Sequence, residues 1–177
     1  MRLTVPPELI QAARIGEADS MERLLQALWP HAYRIARSIV HDDTLAEDAA
    51  QEASAIIYRT IGALKSAGAF RVWAYRIVAR EAIRIAKRCA AEPYLKDESL
   101  LADIDTKIDV MRALSSLQPD QRAAVVLHYY AGLSSSEIGA VLGVPGATVR
   151  FRLSKVRERL APLLDTHEYD SEATEVC

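Results

Sequence analysis

The sequence predicts an all-α protein made of two small helical domains joined by a flexible linker, and three observations predict it. Apolar residues recur at spacings of three and four along most of the chain. No stretch keeps up the alternation a half-buried strand requires. The periodicity fades between Cys89 and about Asp105, where Pro93 sits in a run of acids. With 177 residues, half of them apolar, the chain can bury a real core. No apolar run approaches the roughly 18 residues of a membrane span, and the start MRLTVPPELI lacks the apolar core of a secretory signal, so a cytoplasmic location without membrane insertion is expected. Cys89 and Cys177 suit neither a disulfide framework nor a metal site; no cofactor and no metal are expected.

In chain order, Pro6 and Pro7 lead into a short helix through Leu9, Ile10 and Ala13. Leu25, Leu28, Ala32, Ile35 and Ile39 predict a helix, or a helix pair, interrupted near Pro30. Thr44 followed by Glu47 has capping-box spacing and starts a helix to about Ile61. Its inner face carries Leu45, Ala49, Ala53 and Ile56; Asp48, Gln51, Glu52 and Arg59 lie opposite, an acidic, amide-bearing patch suited to a basic partner. Gly62 and the loop KSAG, Lys65 to Gly68, separate it from FRVWAYRIVAREAIRIAKR, Phe70 to Arg88. There Arg76, Arg80 and Arg84 recur every four residues, while Trp73, Ile77 and Ile85 keep to another side. Only Glu81 lies within that run, so the basic stripe costs helix stability unless a partner supplies anions; a solvated polar face is the alternative.

Net charge is −2, but it is segregated: +3 over residues 1–88, −4 over 89–105, +4 over 106–160 and −5 over 161–177. Local field decides what each body binds, so the two basic bodies remain compatible with a polyanionic partner. In the second body, helices resume with Ile108, Met111 and Leu114, then from Pro119 through Ala123 to Tyr130. The most informative segment follows, LSSSEIGAVLGVPGATVRFRLSKVRERL, Leu133 to Leu160. Ser134 and Glu137 cap a short helix with Ile138, Val141 and Leu142 inward, and Gly143 supplies the left-handed turn that ends it. Val149, Leu153, Val156 and Leu160 form the buried stripe of the next helix, whose other face carries Arg150, Arg152, Lys155, Arg157 and Arg159. A short helix, a tight turn and a helix with a basic outer face form a helix-turn-helix suited to a DNA major groove. The tail from Asp165 is acidic and aperiodic, and disorder is expected there.

Residues 117–160 resemble the promoter-reading domain of bacterial extracytoplasmic-function sigma factors, in the sigma-70 family. LAEDAAQEASAIIYR, Leu45 to Arg59, resembles the family's polymerase-binding helix, and Phe70 to Arg88 its minus-ten reading helix. The resemblance implies four segments: 1–88, like sigma region 2; an acidic linker, 89–105; 106–160, like sigma region 4, reading the minus-thirty-five element; and an acidic tail, 161–177. It also implies core RNA polymerase and promoter DNA as partners, with an anti-sigma protein as a further candidate. Asp48, Gln51, Glu52 and Arg59 would then bind polymerase. Thr148, Arg150, Phe151, Arg152, Ser154 and Lys155 would meet the upstream element, Phe151 through a thymine methyl. Lys65, Ser66, Arg71, Tyr75, Arg76, Arg80 and Arg84 would serve the minus-ten element, with Lys65 to Phe70 capturing a flipped base. Trp73 fits the core better than a stacking role; Tyr75 stays open between the two.

The sequence departs from the family pattern at Arg80 and Arg84, where asparagine and aspartate are usual, and at Ser54, Ala147 and Phe151. No enzymatic role is expected, since His41, Asp42 and Asp43 sit in a turn with no second ligand set. Two rivals remain. One is a helix-turn-helix regulator that needs no polymerase, and the other is a sigma-mimicking interaction module with negligible DNA affinity.

Overall fold

The computed structural model describes residues 3–91, 114 and 116–171, and its described residues are helical with connecting turns. Four helices form an N-terminal unit: α1 (Pro7–Arg14), α2 (Ala18–Val40), α3 (Asp43–Thr60) and α4 (Phe70–Ala91). Three more form a C-terminal unit: α5 (Pro119–Tyr129), α6 (Ser135–Leu142) and α7 (Gly146–Ser171). The segment between the units, which holds most of the expected linker and the periodic residues Ile108 and Met111, lies outside the described residues.

Helix α2 runs unbroken through Pro30, against the expected interruption. The reason is which face the proline occupies. Pro30 and Gln26, the residue whose carbonyl loses its amide partner, are both exposed, so water can satisfy the lost bond. On the opposite face Leu24, Leu28, Ala32, Ile35 and Ile39 are fully buried and hold both halves on one core. The helix ends where His41 takes a left-handed conformation, φ 61°, with its N–H donating to Arg37 O.

That turn also moves the start of α3. The cap is Asp42, whose carboxylate accepts from Leu45 N at 2.8 Å, and not the expected Thr44–Glu47 pair, which falls inside the helix. Asp43 is engaged as well, accepting from the Tyr33 hydroxyl at 2.8 Å and from Arg37, and these bonds hold its carboxyl below the usual range. The buried stripe of α3 is Ala46, Ala49, Ala50, Ala53 and Ile57, turned slightly from the expected face, so that Leu45 and Ile56 are half-buried. Small side chains along this stripe let α3 lie close to α2 and α4.

Helix α4 buries more of its surface than expected. Phe70, Ala74, Tyr75, Val78, Ala79, Ala82, Ile83 and Ile85 enter the core, and Trp73 and Ile77 pack at its margin. Trp73 therefore has the packing role expected of it.

In the C-terminal unit the expected local signals appear where the sequence puts them. Pro119 opens α5, and Gln118 N donates to Gln121 Oε1 at 3.2 Å. Ser134 and Glu137 form the capping box of α6, with Ser134 N to Glu137 Oε2 at 2.8 Å and Glu137 N to Ser134 Oγ at 3.3 Å. Gly143 ends α6 at φ 71°. Val149, Leu153 and Val156 are buried along α7. Helix α7 continues to Ser171, past Asp165, where the sequence reading expects disorder; residues 172–177 lie outside the described residues.

The two units touch. Helix α5 packs on α2 and α4, and α6 packs on α4.

Candidate nucleic-acid interface

The turn between α6 and α7 is held by backbone proximity. A Cβ on Gly139 would lie 2.5 Å from Val144 O, and Val144 N donates back to Gly139 O at 3.0 Å. Only glycine lets the turn fold this tightly against its own helix. The sequence reading singled out Gly143 and missed Gly139. Its signal was a glycine in the middle of a short helix, a choice that weakens the helix unless close packing needs it.

This turn presents α7. Arg150, Phe151, Ser154 and Lys155 are exposed, and Thr148 and Arg152 are half-buried beside them. Phe151 is 64% exposed, with Lys155 Nζ 6.0 Å from its ring centroid. Lys155 also pairs with Glu158 at 2.8 Å, which holds the Glu158 carboxyl below its usual range. Exposed pairs of this kind are weak, so a phosphate can replace the carboxylate. The face thus offers planar bidentate donors, a mobile cation and an apolar side chain, the groups that read base edges and grip backbone.

The second predicted surface runs from the loop before α4 along that helix. Lys65 and Ser66 are exposed in the loop, Arg80 and Arg84 are exposed on α4, and Arg76 is half-buried. The stripe is less bare than the sequence implies: Arg84 pairs with Glu81 at 2.7 Å and Lys87 with Asp120 of α5 at 2.9 Å. Arg71 is held by the C-terminal unit, donating to Ala131 O at 3.0 Å and lying 3.4 Å from Glu137.

Tyr75 is corrected: it is fully buried, its hydroxyl 3.4 Å from His31 Nδ1, and burial pushes the phenol up to about 12. It cannot stack on a base without unfolding the bundle. Beside the loop, a cavity of about 350 Å³ opens between Thr4 and Val5 on one side and Ala67, Gly68, Phe70 and Arg71 on the other. Sequence reasoning gave the N-terminal segment no such position.

On α3, Asp48, Gln51, Glu52 and Arg59 are all exposed and share the outer side of the helix, with Arg59 3.4 Å from Glu52. Tyr58, 62% exposed, stands two turns beyond Gln51 and extends that surface with an aromatic side chain. The seven-residue spacing was available in the sequence and was missed.

With this geometry in hand, comparison with known proteins is specific. The family profile for sigma-70 region 2 matches residues 24–91, and that for sigma-70 region 4 matches residues 107–160. The ECF RNA polymerase sigma factor SigM of Mycobacterium tuberculosis is 33% identical over 163 residues, covering 89% of this chain and 83% of its own. The chain belongs to the ECF sigma factors. A second relative, the ECF sigma factor SigE of Mycolicibacterium smegmatis, is 32% identical over 166 residues, 86% of this chain and 64% of its own. Among solved structures, this sigma factor is similar to CnrH in complex with the cytosolic domain of CnrY, at a TM-score of 0.70 and 22% identity over 90% of this chain and 97% of that one. It is also similar to RpoE in complex with the anti-sigma factor NepR from Bartonella quintana, at 0.65 and 23% over 81% and 96%. Both likenesses bear on the fold. Sigma region 2 corresponds to helices of the N-terminal unit and region 4 to the helix-turn-helix unit.

Proposed function

We propose that this ECF sigma factor binds core RNA polymerase, directs it to a two-part promoter and helps open the start region, acting as a regulatory protein with no reaction of its own. The observation that carries the reading is the coexistence of two basic helical surfaces, on α4 and α7, with a separate acidic and amide-bearing surface on α3. A DNA-binding regulator that worked without polymerase would have no use for the third.

In this reading α7 enters the major groove of the upstream element. Arg150 and Arg152 donate to bases or phosphates, Lys155 leaves Glu158 for a phosphate, and Phe151 meets a thymine methyl. Lys65 and Ser66, with Arg76, Arg80 and Arg84, hold the minus-ten region, and the cavity beside Ala67 and Gly68 receives an unstacked base. Asp48, Gln51 and Glu52 dock on a basic polymerase surface, Arg59 supporting Glu52. An anti-sigma protein is the proposed regulator, and the cytoplasm the proposed location. Among the described residues no helix is long and apolar enough to cross a membrane.

The test is Asp48→Lys combined with Gln51→Lys. Both positions are exposed, so the helical fold should survive by circular dichroism while binding to core polymerase falls at least tenfold. Undiminished binding refutes the polymerase surface.

A further inference from the structure

Resting on the reading of α7 given above, we propose that Phe151 makes this helix a sensor of the pyrimidine 5-methyl group, so that 5-methylcytosine stands in partly for thymine in the upstream element. Phe151 lies in the second turn of α7 and is 64% exposed. It is not needed to hold the helix, since Val149, Leu153 and Val156 form the buried stripe that packs α7 on its unit, and Phe151 lies off that stripe. Of the exposed large apolar side chains among the described residues, Trp29, Tyr58 and Tyr129 each carry a polar atom, whereas Phe151 and Ile15 carry none. On a face that meets DNA, Phe151 therefore has only apolar contact to offer.

The neighbours aim that contact. Residues four apart share a helix face, and side chains lean toward the helix N-terminus. The residue four before Phe151 is Ala147, exposed and small, which leaves the ring free to reach toward the leading end of α7. That is the end a recognition helix sets against base edges. On the other side Lys155 Nζ lies 6.0 Å from the ring centroid and steadies the ring by cation–π attraction. Arg150 and Ser154, both exposed, flank it.

In the major groove the apolar group that the four ordinary bases present is the thymine 5-methyl. A methyl on C5 of cytosine occupies the same ring position, so a side chain that recognises one meets the other. The difference lies beside the methyl, where thymine has the O4 acceptor and cytosine the N4 amine, a donor. Arg150 and Lys155 only donate, which suits O4 and disfavours the amine. The expected order is thymine, then 5-methylcytosine, then cytosine, with the methyl and the exocyclic group contributing separately.

The experiment uses holoenzyme formed from the full chain and core polymerase. Bound fragments are selected from randomised promoter DNA, and each thymine of the selected upstream element is replaced in turn by uracil opposite adenine, or by cytosine or 5-methylcytosine opposite guanine. At one position, uracil should bind about fourfold more weakly than thymine and 5-methylcytosine about fourfold more tightly than cytosine, the effect of burying one methyl at about 0.8 kcal/mol and 1.4 kcal/mol per tenfold. Both differences should vanish in Phe151→Ser. Each ratio is taken within one protein, so a general loss of affinity in the variant cancels. The proposal is overturned by an upstream element that lacks thymine, by ratios indifferent to the methyl at every position, or by a methyl effect of undiminished size in the variant. Failure to select any upstream sequence removes the DNA-reading role of α7 and the proposal with it, whereas a selected element indifferent to the methyl removes the proposal alone.

Discussion

Residues of similar type have opposite tasks in this molecule, and burial separates them. Tyr75 is sealed against His31, whereas Tyr58 stands in solvent beside the acidic surface of α3. Tyr75→Phe should therefore leave binding to a minus-ten oligonucleotide unchanged and cost at most about 1 kcal/mol of stability in urea unfolding. His31 adds a pH dependence. Burial, then the charge of Arg34, lowers its pKa below the ordinary 6.5, so the unfolded chain takes up a proton before the folded one does. Its contribution is complete above about pH 6.5 and is lost as pH falls through the lower folded value. Unfolding midpoints measured at pH 7.5 and pH 5.5 should differ less in His31→Gln than in the parent. On the DNA face, Arg150→Ala with Lys155→Ala should weaken binding to the upstream element at least tenfold and flatten its salt dependence, both read by fluorescence anisotropy across a salt series.

At the scale of elements, the helix-turn-helix was the most legible part, because each of its signals is local. A capping serine, a glutamate three residues on and a glycine after the last apolar residue specify α6 without help from the rest of the chain. Elements shaped by tertiary context were read less well. Pro30 suggested a break, but its solvent position and the continuous stripe beneath it keep α2 whole. The α3 cap shifted from Thr44 to Asp42 because the left-handed His41 fixes where the chain can turn, and the aspartate that follows it accepts from Leu45 N. The candidate surfaces follow the same rule. Periodicity placed Asp48, Gln51 and Glu52 on the outer face of α3 and Arg150 and Lys155 on that of α7, and the family resemblance implied their roles, while Tyr75 was undecided because α4 is buried over a wide arc that period and charge did not reveal. Gly139 gives the element-scale prediction. A Cβ there meets Val144 O at 2.5 Å, so Gly139→Ala should destabilise the C-terminal unit by about 1–3 kcal/mol in chemical unfolding.

For the whole molecule, the sequence expresses two helical units and segregated charge, but not the contact between them. Arg122 was invisible as a joint because its three carbonyl partners belong to backbone, which no side-chain pattern advertises, and one of them lies 83 residues away. The same contact covers part of the cationic surface of α4, where Arg71 meets Glu137 and Lys87 meets Asp120 of the other unit. The central claim is that this chain redirects RNA polymerase, and one measurement tests it most directly. Purified protein is mixed with core polymerase and a library of promoter fragments, and the transcripts are sequenced. The account predicts new start sites downstream of a shared two-part sequence, absent from core polymerase alone. A start-site pattern identical with and without the protein would contradict it.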